Sequence, residues 1–146
     1  MIEKIQQIIG SKYNVKEPRG IFFSAYDANN SLIVSSGVVS TDKSLEKVID
    51  MIYHWLIETH SNIVSINCDI IKDIKAMTSM EEVMASDMKQ YGICASTIDH
   101  SKSWVVLPGT VGINTASDAL GFIKSKHNLT GNITIYLFTT ERIFIN

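Results

Sequence analysis

The sequence predicts an α+β domain, with a mixed or antiparallel sheet built from hairpins and about four helices packed on it. Three observations carry this expectation. Ile21 to Tyr26 and Leu32 to Val39 are strand-like runs separated by Asp27-Ala28-Asn29-Asn30, a turn by composition. Leu45, Val48, Ile49, Ile52 and Leu56 recur at helical spacing, and Met51 and Trp55 widen the stripe. Tyr91 to Leu107 repeats the hairpin pattern around the polar turn Ile98-Asp99-His100-Ser101. Strands that arrive as hairpins, with helices between them, read as α+β. Residues 1–146 are read as one such domain, because no repeat, linker or low-complexity tract interrupts them.

Taken in order, Ile2, Ile5, Ile8 and Ile9 share one helical face, with Glu3, Lys4, Gln6 and Gln7 away from it; Gly10 is the expected end. The first hairpin follows Pro18-Arg19-Gly20, and its second strand changes character at Ser35-Ser36-Gly37, which reads as a bulge or bend. The long helix over Leu45 to Leu56 keeps Glu46, Lys47, Asp50 and Glu58 off its stripe. From Ile63 to Ile74 the chain alternates, with Val64, Ile66, Cys68 and Ile70 on one face and Ser65, Asn67 and Asp69 on the other. Asp69 and Asp73 are read as part of a solvated strand face. Thr78-Ser79-Met80-Glu81-Glu82 holds two overlapping capping boxes before a short helix.

In the second hairpin, Asp99 can bond its own backbone, and Trp104 to Leu107 is expected to be covered on both faces. Pro108 then Gly109 fits a type II turn, with Gly109 at positive φ. Thr115 caps the next helix, and Asp118 suits its positive end. Ala119, Leu120, Phe122 and Ile123 form its apolar face. Gly131-Asn132 is a turn, Ile133 to Phe138 a strand, and Ile143 to Ile145 continues pairing after a kink at Thr139-Thr140.

Composition narrows the function classes. At 45% apolar residues, disorder is not expected. A net charge of -2 and just two arginines, Arg19 and Arg142, give no basic footprint, so nucleic acid is not an expected partner. No apolar run approaches the ~20 residues of a membrane span, and the amphipathic start with Glu3 is not a signal peptide. A cytoplasmic protein is expected, so the sequons at Asn29, Asn128 and Asn132 carry no weight. Cys68 and Cys94 read as buried thiols, and neither they nor His54, His60, His100 and His127 have metal-ligand spacing. No metal or cofactor is expected.

The candidate site is a shallow cleft. Small residues at Ser35, Ser36 and Gly37 admit close backbone approach. Leu107-Pro108-Gly109 is expected at a neighbouring strand end, His100 lies in the hairpin loop, and the helix start at Thr115 can favour an anionic group. Gly109-Thr110-Val111-Gly112 is neither a Walker loop nor a dinucleotide fingerprint, and a tight turn explains it.

The order of pieces carries a resemblance. RGIFFSAYDANNSLIVSSG, the helix SLEKVIDMIYHWL, VSINCDIIKDIKAMTSMEEV, YGICAS, WVVLPG and ITIYLFTTERI together resemble the AMMECR-type domain family over residues 19–145. The family's distinctive run is leucine, arginine, glycine, cysteine, isoleucine, glycine. Here Leu32 and Gly37 match it, while Ile33 and Ser35 stand at the arginine and cysteine positions. The resemblance implies the fold, and no site that depends on that arginine and thiol. Family members often accompany radical-SAM and Memo-type proteins, which implies a partner or substrate-handling role. The expected function is therefore binding of a protein partner or a small anionic ligand in the cleft. Two rivals stand beside it: a dimeric interaction module of the roadblock or profilin type, and an enzyme using Ser35, His100 and Gly109. The second lacks a base–nucleophile constellation.

Overall fold

The structure is a computed structural model and describes residues 1–99, 101–127 and 132–145. Among these residues the elements run α1 (Ile2–Gly10), β1 (Ile21–Tyr26), β2 (Leu32–Val38), α2 (Leu45–Thr59), β3 (Ser65–Met77), α3 (Met80–Met84), β4 (Gly92–Thr97), β5 (Ser103–Val106), α4 (Ala116–His127) and β6 (Ile133–Ile145). The strand order is β2-β1-β3-β6-β4-β5. The pairings of β1 with β2 and β3, and of β4 with β5 and β6, are antiparallel. The fold class is α+β, as the two hairpins and the helical stripe predict. The chain divides into two compact units, one formed by Met1–Ile71 with the segment from Glu141 onward, the other by Lys72–Thr140. Each has its own apolar core.

In the first unit β1 is buried along nearly its whole length, with β2 and β3 paired on its two edges and Ile21, Phe23 and Ala25 packed in the core with α1 and α2. Ile5 and Ile9 of α1, and Leu45, Val48, Ile49 and Leu56 of α2, pack with Phe23, Ile66 and Cys68. The turn between β1 and β2 is held by Asp27, whose Oδ1 accepts from the N–H groups of Asn29 (2.9 Å) and Ser31 (3.0 Å), with Asn30 in the left-handed region. The irregularity expected at Ser35-Ser36-Gly37 lies elsewhere. Register shifts between Ala25 and Tyr26, which pair with Val34 and Leu32, so Ile33 is the extra residue. Ser35, Ser36 and Gly37 are in unbroken pairing with Ser24, Phe23 and Phe22.

Both arginines of the chain serve this unit. Arg142 grips Asp69 with two hydrogen bonds, Nε to Oδ1 at 2.7 Å and Nη2 to Oδ2 at 3.0 Å. Arg19 donates from Nη1 to the carbonyl of Ile71 and stands 5.1 Å over the Tyr13 ring. Asp69 thus corrects its expected place on a solvated strand face: it is buried, with Ile71 buried two residues on along the same face. Alternation marks the face, but covering by a distant arginine decides its exposure. Asp73 is exposed, as expected.

The second unit is built on β4, buried almost throughout between β5 and β6. Ala116, Ala119, Leu120 and Ile123 of α4, with Val83 of α3 and Met88, close its core. Of the two capping boxes, Ser79 performs the capping: its Oγ accepts from the N–H of Glu82 at 3.3 Å. Phe122 is a second correction. It is exposed, off the stripe formed by residues 116, 119, 120 and 123, and the Lys126 ammonium lies 5.3 Å from its ring. β5 is an outermost strand, so Trp104 and Val105 are half-buried rather than covered on both sides. β6 runs unbroken through Thr139-Thr140, where a kink is expected. The turn expected at Gly131-Asn132 includes Gly131, which lies outside the described residues, as does the sequon residue Asn128.

The Tyr13 hydroxyl bonds the Glu141 carboxylate, which Lys12 also reaches at 3.2 Å. Burial, and then Glu141, push the Tyr13 phenol up to about 12 from 10.0. Burial, and then Asp69, push the Cys68 thiol up to about 12 from 9.0. Both groups hold their protons more tightly in the folded chain. Stability from this source is complete below the unfolded values and is lost as pH climbs toward 12. The urea midpoint should therefore fall between pH 9 and pH 12, and Tyr13→Phe should flatten part of that fall. An unchanged slope in the variant would assign the loss to other groups.

Candidate functional site

Ser35, Ser36 and Gly37 belong to the first unit, on β2. The Ser35 hydroxyl lies 2.8 Å from that of Ser24, which is buried. Gly37 is small for a reason other than ligand access. A Cβ there would strike the Ile21 carbonyl oxygen and lie 2.6 Å from the Cα of Phe22, so the partner strand already occupies the approach. Pro108, Gly109 and Thr115 belong to the second unit. His100 lies outside the described residues.

Within the second unit, Pro108 is buried and Gly109 has φ 69°, the positive value expected after Pro108. Gly109 donates its N–H to the Met88 carbonyl at 2.9 Å. Thr115 caps α4, its Oγ1 accepting from the N–H of Asp118 at 3.1 Å. Asp118 reciprocates. Its Oδ2 accepts from the N–H groups of Asn114 (3.1 Å) and Thr115 (3.2 Å). This is a capping box with aspartate in the return position. A carboxylate of the chain itself thus sits on the N–H groups of Asn114 and Thr115, just ahead of the first turn of α4.

The hairpin loop is organised by Asp99, which accepts from the Thr97 hydroxyl at 2.8 Å, the Ser101 N–H at 3.1 Å and the Ser101 hydroxyl at 2.8 Å. Those donors, led by the Ser101 N–H, hold its carboxyl down to about 2. Asp99 thus has a structural role in the loop. Burial pushes the Cys94 thiol up to about 11, the direction expected for a buried structural thiol. Among the described residues no group of three or more His, Cys, Asp or Glu side chains could hold a metal ion.

The concave feature that the sequence did not point to is an open pocket of about 600 Å³ in the second unit. Ile74, Met77, Tyr91, Leu137 and Phe138 give it an apolar floor. Asp73, Lys75, Glu82 and Asp87 supply its charged rim, three carboxylates to one ammonium. The Asp87 carboxylate accepts from the Lys89 N–H at 3.0 Å and so is partly committed to its own turn. The exposed Ala85 completes one wall. One signal for this site was in the sequence: the strand-like pattern after Ile63 is far longer than the run Ile21 to Tyr26 that it pairs with.

No family model matches this chain. No curated protein matches it either. The crystal structure of an uncharacterized protein from Pyrococcus horikoshii is similar, with a TM-score of 0.72 and 12% identity, over 97% of this chain and 85% of that one. At that identity the likeness shows a shared fold. No helix among the described residues is long and apolar enough to cross a membrane.

Proposed function

We propose that this chain is a binding protein that engages a protein partner through the pocket of the second unit. The pocket itself carries the reading. An apolar floor ringed by a few charged groups is the usual make-up of a recognition site. Methionines add to it: Met77 lies in the floor, and Met80 and Met84 on α3 are exposed, where flexible thioethers adapt to a partner. A small anion at the start of α4 is the weaker expectation, because the Asp118 carboxylate lies beside that position, on the N–H groups of Asn114 and Thr115. The resemblance of residues 19–145 to the AMMECR-type family supports a binding role, since it implies a partner or substrate-handling role. Two buried free thiols support a reducing compartment, and the proposal places the protein in the cytoplasm.

The test is a titration with 2-phenylethylamine, an aromatic cation, followed by amide NMR shifts. Changes should gather at Asp73–Met77, Glu82–Asp87 and Tyr91. Ala85→Trp should fill the pocket without disturbing the core and remove them. Changes elsewhere, or changes untouched by Ala85→Trp, would place binding outside the pocket. A second reading, the roadblock or profilin-like dimer, is favoured by Met51 and Trp55, which are exposed one turn apart on α2. A concentration-dependent dimer abolished by Trp55→Glu in sedimentation experiments would select it.

A further inference from the structure

The end of β3 offers a main-chain edge beside the pocket. β1 runs along Ser65–Ile70 and no further. The last bonds on that side are the Ile71 N–H to the Gly20 carbonyl at 3.0 Å, and Arg19 Nη1 to the Ile71 carbonyl at 2.9 Å. Ile71 thus directs both main-chain groups toward the β1 side. Main-chain directions alternate along a strand, so Asp73, Lys75 and Met77 direct theirs the same way. Among the described residues the strand order places β1 and β6 beside β3, and β1 has ended. Asp73, Lys75 and Met77 also line the pocket.

We propose that this edge takes an extended peptide of a partner protein as an added strand, and that the peptide alternates apolar and basic side chains. The inference rests on the pocket being the binding site and adds the partner's chemistry. Strand addition uses main-chain bonds for affinity and pockets for alternate side chains. Apolar side chains of the peptide enter over Ile74, Met77 and Tyr91. Basic ones meet Asp73 and Glu82, which make no ion pair with any described residue, while Lys75 stands as the opposing charge. Lysines at 72 and 75 also set two copies of this edge against each other, a usual guard against self-pairing.

The experiment uses the full chain and three blocked peptides of about seven residues, a length that spans the edge. One alternates lysine and valine. The second has the same sequence with N-methyl groups on alternate amides, and the third has glutamate for lysine. The lysine–valine peptide should bind by calorimetry, with amide shifts at 73–77. N-methylation should weaken it roughly tenfold or more, as expected on losing two or three main-chain hydrogen bonds of ordinary net strength. Lys75→Pro removes a donor from the free edge and leaves the β6 side intact, so it should weaken binding in a folded protein. Asp73→Asn with Glu82→Gln should weaken it too. Equal binding of the methylated or the glutamate peptide would overturn the inference, as would a homodimer sealed through 73–77. If 2-phenylethylamine still fills the pocket while no peptide binds, strand addition fails and the pocket reading stands. If neither binds, both fail.

Discussion

Arg142→Met should destabilise the protein by about 3 kcal/mol, the lower end of the range for removing one partner of a buried ion pair. The lower end applies because the Arg142 side chain keeps 36% exposure while that of Asp69 has 1%. The cost arises at Asp69. Without the guanidinium, a buried carboxylate loses both of its bidentate bonds. Loss of apolar contact along the arginine stem is the competing explanation, and methionine preserves most of that volume. A double-mutant cycle with Asp69→Asn separates the two, since a real pair gives a coupling of roughly 1–3 kcal/mol. A urea midpoint equal to wild type for Arg142→Met would show that the pair contributes nothing.

Leu56→Ala should cost about 2–5 kcal/mol, the range for truncating a buried leucine and leaving part of the cavity open. Leu56 is fully buried and packs in the first unit's core, where helix α2 meets β1 and β3. Leu56→Met, which nearly conserves volume, should cost less than about 1.5 kcal/mol. Ile57 is the internal control. It is the next residue in the helix but is 48% exposed, so Ile57→Ala should fall within about 0.5 kcal/mol of wild type. Equal losses at 56 and 57 would mean that the helix reports its propensity and not its packed face.

The candidate site was less legible than the fold. Thr115 and Asp118 were readable as a cap from their spacing. That they bond each other's backbone depends on the rotamer the aspartate adopts. Gly37 was readable as a place of close approach, but not as one already taken by Phe22. The pocket draws on residues near 74, 87, 91 and 138, and no local pattern joins these. Asp69 illustrates the same limit from the stability side. Its position in a strand was plain, and its partner is 73 positions away.

The sequence by itself determined the elements and their order: the helical stripe at Leu45 to Leu56, the two hairpins, the turn residues Asp27, Asp99 and Gly109, and the cap at Thr115. Those features are set within a few residues by side-chain spacing and backbone preference, so they are written locally. The tertiary structure alone decided which faces were covered, that Ile33 is the extra residue of the first hairpin, and that β3 outruns β1 to leave an edge beside a pocket. The cause is physical. Burial, register and ion pairing depend on which distant strand or side chain arrives at a surface, and a local pattern marks a surface without naming what will cover it.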